Sequence, residues 1–365
     1  MGPARAVALR AFGDARTRTI SFALLFFIAS AATVLGYRSA YPTRADRVEF
    51  ARTFGDTDAV RLLYGVPRDL LTVGGYAGWR LVGSLTIFAA LWGVLAAVRA
   101  LRAEEEPGRQ ELVLAGTVGR RAAFAAALAA IAAGAVVLWA ALFAGTLTAW
   151  PGVGASAYLA LTIVSPLPVF VGVGALASQL APTRRGALAL ATGVLGLTLL
   201  VRMVADTAPG LGWLRWATPL GWAEELRPSD PRPIVLVLPA ATTLLLLLVA
   251  ERISAKRDVG AGLLAAHDSA EPRLGLLSSP EGLAARTLRG GFAAWVGGIA
   301  TYALIMGVVS ASVASGLSEN LRQQLEKLGA SGTDTPAGFL GFAFLFFVLA
   351  ISLFGPFQLS AVREE

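Results

Sequence analysis

The chain has 365 residues, 56% of them hydrophobic and 15% charged, with a mean hydropathy of +0.65, a balance that excludes a water-soluble globular fold. It has no cysteine, which removes disulfides, thiolate metal sites and cysteine nucleophiles, and its one histidine, His267, lies in a polar stretch and reads as a solvated loop residue. The net charge of +7 does not mark a nucleic-acid binder, because the basic residues are spread over the loops between apolar runs and are not interleaved with aromatics on one face; topology and anionic lipid account for them better.

Residues 3–18 alternate Pro3, Val7, Leu9 and Phe12 with Arg5, Arg10, Arg16 and Arg18, the pattern of an interfacial amphipathic helix within a 1–19 leader. Eight runs then satisfy the length and apolarity of a membrane span, about 20 residues each: 20–36, 81–98, 122–150, 155–180, 187–205, 234–250, 292–315 and 339–362. Runs of this length must satisfy their backbone groups internally, so they are helices, and the expected class is an all-α integral membrane protein. The first run is read as a retained helix, not a cleaved signal, because its polar leader is long and Tyr37-Arg38 stands where small residues would be needed.

With the N-terminus in the cytoplasm, the inner segments hold 18 Arg and Lys and the outer loops 12, which favours that orientation. The outer loop 37–80 carries seven basic residues, largely offset by Asp46, Glu49, Asp56, Asp58 and Asp69. The inner loop after the second run, 99–121, contains Glu104-Glu105-Glu106. Arg102 is spaced i,i+4 from Glu106, as is Glu105 from Arg109, so a solvated, salt-bridged helix is one reading, with Pro107-Gly108 bending it.

Farther on, Arg202 is the ionisable residue set well inside a run. Asp206 follows four residues later, which fits a snorkelling side chain with an i,i+4 partner; a substrate-gating role is the other reading. The segment 206–233 places Trp213, Trp216 and Trp222 close together, as in a stretch lying in the outer interface. The eight runs, with the bounds given, contain no Asp, Glu or His, so no coupling-ion site is visible at the bilayer midplane. A phosphate-binding Gly-x-x-x-x-Gly-Lys-Ser/Thr loop is also missing, so a partner must supply the energy.

Two blocks recur along the chain. A proline-started amphipathic lead-in occurs at Pro3–Arg10 and again at Ser279–Arg286, where Ser279 serves as an N-cap. An Ala-Val-Arg stretch running into glutamates occurs at 97–106 and again at Ala361–Glu365. The organisation expected is a six-span repeat over 20–250, a cytoplasmic linker with an amphipathic helix over 251–291, and the first two spans of a second repeat over 292–365, apparently incomplete.

The loop string Arg102–Arg120, together with Pro219–Pro228, Arg257–Leu264 and Ser279–Ala284, resembles the ABC-2-type permeases of the actinobacterial group that exports polyketide antibiotics such as tetronasin. The resemblance spans the whole chain, on motifs that bind no cofactor and form no catalytic centre. It implies that Glu104, Glu105, Glu106 and Arg109 form the coupling element that docks on an ATPase, with Arg363, Glu364 and Glu365 opening a second such motif. It also implies short re-entrant helices near Trp213, Trp216 and Trp222 closing the outer end of the pathway. Members of the family usually have about twelve spans in one polypeptide.

The function expected is a transmembrane permease subunit of an ATP-driven exporter in the bacterial plasma membrane, moving hydrophobic or amphipathic compounds such as antibiotics and drugs. The chain itself would bind no cofactor; ATP and magnesium would reside on a separate ABC ATPase, two copies of which are expected as partners. An ion-coupled secondary transporter or channel is the alternative, followed by a membrane-embedded transferase whose only candidate acid is the Glu104–Glu106 cluster.

Overall fold

A computed structural model describes residues 3–55, 61, 64–102, 119–150 and 152–256, and isolated positions beyond them. Helix α1 runs unbroken from Pro3 to Ala40, so the leader and the first span form one helix. Loop 40–72 is partly helical: α2 (Arg44–Phe54) starts on a capping box in which Thr43 and Asp46 satisfy each other's backbone N–H groups. Helix α3 (Val73–Leu101) starts on Thr72, whose hydroxyl accepts from the Gly75 N–H at 3.0 Å and donates to Asp69 Oδ2 at 2.6 Å.

Helix α4 covers Arg120–Leu147. The apolar run after it is split at Ser165 into α5 (Val153–Val164) and α6 (Pro166–Leu180). Pro166 and Pro168 have no N–H to give to the preceding turn, so the helix cannot pass through them unbroken, and the Ser165 hydroxyl donates to the Thr162 carbonyl at 2.8 Å. Helix α7 covers Arg184–Thr207 behind a Thr183 cap. A 3₁₀ turn (Gly212–Ala217), the short helix α8 (Pro219–Glu225) and a second 3₁₀ turn (Pro233–Leu236) lead into α9 (Val237–Lys256).

Six stretches among the described residues are long and apolar enough to cross a membrane: 15–40, 73–101, 120–147, 153–180, 184–207 and 233–256. With no strand among the described residues, the chain is an all-α integral membrane protein. The last two expected spans, 292–315 and 339–362, lie outside the described residues apart from isolated positions. In the unit 267–365, Ser279 Oγ accepts from the Gly282 N–H at 3.1 Å, as an N-cap does.

Burial ranks the spans. The most apolar windows of α3 and of α5–α6 are 67% and 78% buried, against 22% and 17% for α7 and the 233–256 span, so the former pair forms the centre and the latter leave most of their surface uncovered by the described residues. The centre is close-packed because small residues let backbones approach. At Gly93 of α3 a Cβ would lie 2.7 Å from the Leu167 carbonyl oxygen, and at Gly145 of α4 it would lie 2.6 Å from the Phe27 carbonyl oxygen.

The bundle has two ends. At one, Arg102 caps the Pro182 carbonyl and Arg121 pairs with Glu251 at 2.9 Å. At the other, Arg38 donates to the Ala149 carbonyl at 2.5 Å and Tyr158 to the Leu226 carbonyl at 2.8 Å. This second end, called here the Glu225 end, carries α2, the 64–72 segment and all of residues 208–232.

Candidate functional site

The residues that gather at the Glu225 end come from four separate stretches. Arg202 and Asp206 lie one turn apart near the end of α7, Arg215 is in the 3₁₀ turn, Glu224 and Glu225 end α8, and Arg68 belongs to the 64–72 segment. Helix α8 exists because Thr218 accepts from the Gly221 N–H at 3.0 Å and Pro219 fills the first helical position. A Cβ at Gly221 would collide with the backbone of Arg215, so only glycine lets the turn and the helix pack this closely.

Arg202 is the hub. Its Nε lies 2.5 Å from Glu224 Oε1 and 3.5 Å from Asp206 Oδ2, and its Nη1 donates to the Gly83 carbonyl at 2.9 Å. Arg215 Nε donates to Asp206 Oδ1 at 2.6 Å and lies 3.5 Å from Glu224 Oε2, while its Nη2 donates to the Ala205 carbonyl at 3.1 Å. Glu225 is held by Arg68 at 2.7 Å and by Arg227 at 2.9 Å. Arg227 adopts a left-handed backbone, φ 49°, rare for a non-glycine residue, while gripping Glu225 Oε2 through both Nε and Nη2.

The dielectric is low here. Burial pushes the Glu224 carboxyl up to about 7; Arg202 opposes the rise and Asp206 adds to it. Burial pulls the Arg215 guanidinium down, but the hydrogen bond to Asp206 and the nearby charges of Asp206, Glu224 and Glu225 outweigh it and leave it raised. Arg68 is lowered by burial against the attraction of Glu225.

Beside Glu224 lies a cleft of about 30 Å³, bordered by Tyr64, Trp79, Arg68 and Arg227, which is room for a water or two and not for a drug-sized molecule. Gly65, at φ 80°, backs the Glu224 carboxylate, and its carbonyl accepts from Trp79 Nε1 at 2.9 Å. Next to the cleft, Tyr37, Tyr41, Phe50, Tyr76 and Trp79 stack edge and face against one another and fasten α2 onto α1 and α3. No group of three metal-ligating side chains is poised for a metal among the described residues. The arrangement can hold protons and fasten elements together.

The expected site residues fall in different places. Arg202 pairs with Asp206 as its spacing implied, but it does not snorkel: its side chain is 2% exposed and turns inward to Glu224 and Gly83. Trp213 and Trp216 are 63% and 47% exposed, and Trp222 is half-buried with its Nε1 donating to the Trp216 carbonyl at 2.6 Å. Thus Trp213 and Trp216 face outward beside the cluster. Glu104, Glu105, Glu106, Arg109, Arg363, Glu364 and Glu365 lie outside the described residues.

Helix α7 runs two residues past the apolar run 187–205 and buries Asp206 within its last turn, so a carboxylate stands at the end of this helix and not within the run. Sequence reasoning passed over Glu224, Glu225, Arg215 and Arg68. A signal was available: two adjacent glutamates in an otherwise apolar eight-residue stretch, Pro219–Leu226, between two spans.

A family model described as the C-terminal domain of the multidrug efflux system permease Rv1217c matches residues 70–251 and 277–365. The chain is similar to the multidrug efflux system permease protein Rv1217c of Mycobacterium tuberculosis (strain ATCC 25618 / H37Rv), with 36% identity over 327 residues. That alignment covers 87% of this chain and 57% of the relative, so the chain spans little more than half the relative's length.

Proposed function

The chain belongs to the Rv1217c-type family of multidrug efflux system permeases, and on that premise we propose that it is the transmembrane permease subunit of an ATP-driven ABC exporter. The observation that carries this reading is the family match laid over a bundle of apolar helices whose buried charges are tied to one another at one end. Its cargo is hydrophobic or amphipathic compounds, of the polyketide-antibiotic kind that the tetronasin-like resemblance implies. Alanine- and glycine-rich walls such as 122–134 offer such molecules an apolar path.

The energy comes from a separate ABC ATPase, in two copies, that docks on loop 99–121 through Glu104, Glu105, Glu106 and Arg109, with Arg363, Glu364 and Glu365 as a second contact. ATP and magnesium sit on that partner, and the permease carries no catalytic step. The N-terminus is cytoplasmic, which places the Arg102 end inside and the Glu225 end outside. Supporting this orientation, Arg18 lies within electrostatic reach of Arg99 and Arg184, a concentration of arginine at the Arg102 end. Residues 208–232, with Trp213, Trp216 and Trp222 beside the arginine–carboxylate cluster, then close the outer end of the pathway.

The deciding experiment is reconstitution of the chain with an ABC ATPase that co-purifies with it. ATP-dependent uptake of an amphipathic dye into inside-out vesicles is the expected result. Uptake that persists without ATP but needs an ion gradient would overturn the reading in favour of a secondary transporter.

A further inference from the structure

The innermost part of the cluster crowds two carboxylates onto the same two guanidinium groups. Two guanidinium groups, Arg202 and Arg215, with side chains 2% and 15% exposed, face three carboxylates, Asp206, Glu224 and Glu225, at 1%, 9% and 6%. Arg68 and Arg227, 30% and 20% exposed, stand at the rim and are engaged with Glu225. The two carboxyls left to share Arg202 and Arg215, those of Glu224 and Asp206, flank the same two nitrogens: Arg202 Nε lies 2.5 Å from Glu224 and 3.5 Å from Asp206, and Arg215 Nε 3.5 Å and 2.6 Å from them. Asp206 Oδ2 is buried and makes no hydrogen bond among the described residues, its ion-pair contact to Arg202 Nε being long at 3.5 Å. Two adjacent anions in a low dielectric repel, and an acceptor without a donor is costly.

One proton answers both defects. We propose that Glu224 and Asp206 form a carboxyl pair that binds a single proton, and that this proton fastens residues 219–232 to α7 and α3, being held while the cluster is closed and released when it opens. In the closed state the protonated Glu224 donates to the orphaned Asp206 oxygen while Arg202 continues to bridge Glu224 and the Gly83 carbonyl. When α8 lifts away, Glu224 meets water and ionises, and the proton leaves through the cleft bordered by Tyr64 and Trp79. Acid therefore favours closure, and alkali favours opening.

Among the described residues, the helices packed around Glu224 bring no further acid or base to the pair. Helices α5 and α6 carry no charged residue, and the Tyr158 hydroxyl is spent on the Leu226 carbonyl. Helix α3 offers the Gly83 carbonyl to the cluster, while its Arg80 stacks on the Tyr64 ring at 4.8 Å. The charged residues of α9, Glu251, Arg252 and Lys256, lie at the opposite end of that helix. The raised pKa of Glu224 agrees with a proton held near neutrality. The bound proton does not depend on the export reading; its use in closing the outer end does.

The test is infrared titration of the full chain in lipid nanodiscs between about pH 5.5 and 8.5, followed by hydrogen exchange of the 219–232 amides. A protonated-carboxyl C=O band should titrate away near neutrality in the native chain, be absent from both Glu224→Gln and Asp206→Asn, and persist in Glu251→Gln at the far end. Exchange of 219–232, corrected for its intrinsic pH dependence, should rise about tenfold from about pH 6 to 8 and become pH-independent in Glu224→Gln, whose amide can donate to Asp206. The native titration decides even if a variant fails to fold: no titrating band, or exchange with the same corrected rate at both pH values, overturns the proposal. Loss of ATP-driven uptake with the band intact would instead count against the export reading.

Discussion

Arg202 Nε and Glu224 Oε1 meet at 2.5 Å, with both side chains less than a tenth exposed. The same guanidinium reaches the Gly83 carbonyl on α3, so one side chain joins α7, α8 and α3. Removing one partner of such a pair leaves an uncompensated buried charge, which costs more than the pair contributes. Arg202→Ala should therefore destabilise the chain by about 3–5 kcal/mol. Arg202→Lys, which keeps the charge but loses the planar fork, should recover only part of that. Thermal or denaturant unfolding in detergent measures both; equal stability of Arg202→Ala and the native chain would refute the structural role.

The same pair has a pH signature. Glu224 titrates at about 7 when folded, against 4.5 in the unfolded chain. In between, the folded chain holds a proton that the unfolded chain lacks. The contribution of this group is thus fully present below 4.5 and is lost as pH rises through about 7. The thermal midpoint of the native chain should fall across that window, and Glu224→Gln should flatten the fall. A midpoint that rises across it in the native chain, and falls in the variant, would reverse the assigned sign.

Close approach at Gly93 yields a prediction about packing alone. A Cβ there would lie 2.7 Å from the Leu167 carbonyl and 3.3 Å from the Val171 nitrogen, both backbone atoms that cannot rotate aside. Gly93→Ala should separate α3 from α6 and cost about 1–3 kcal/mol. Gly193 and Gly196 on α7 have open space where a Cβ would go, so alanine there should be neutral or stabilise by about 0.4–1 kcal/mol. Comparing the three variants in one unfolding series checks the ranking.

Loop 99–121 is the place to test coupling. Reversing Glu104, Glu105 and Glu106 to lysine together should abolish ATP-driven uptake, leave the thermal midpoint unchanged, and separate ATP hydrolysis from transport in the reconstituted complex. Unchanged hydrolysis and unchanged uptake would remove the loop from the ATPase contact.

Orientation can be settled without first engineering out native thiols, since the chain has no cysteine. Gly13→Cys, at an exposed position near the start of α1, and Ser229→Cys, beside the charge cluster, lie toward opposite ends of the bundle. In intact cells an impermeant maleimide should label Ser229→Cys and spare Gly13→Cys. The converse pattern would place the N-terminus outside.

How much could be read from the sequence depended on the range of the forces involved. A span needs about 20 consecutive apolar residues, a local requirement, and six of the runs read from the sequence reappear as membrane-length helical stretches, 81–98 lengthened to 73–101 and 234–250 to 233–256. The Thr72 and Thr183 caps and the break at Pro166 are likewise set within a turn or two of chain. The unbroken course of α1 through its polar leader is not written so locally, because the same alternation suits a helix lying in the interface.

Arg202 marks the limit. Its sequence neighbour Asp206 is one turn away, whereas Gly83 and Glu224, the partners that decide its state, lie 119 and 22 residues away. The sequence by itself determined a lipid-embedded helical chain, because hydrophobic length and apolarity are sums over neighbouring residues. Only the tertiary structure decided that Arg202, Asp206 and Glu224 share one desolvated space. Desolvation and Coulomb attraction act through distance and dielectric, and both are properties of the packed bundle.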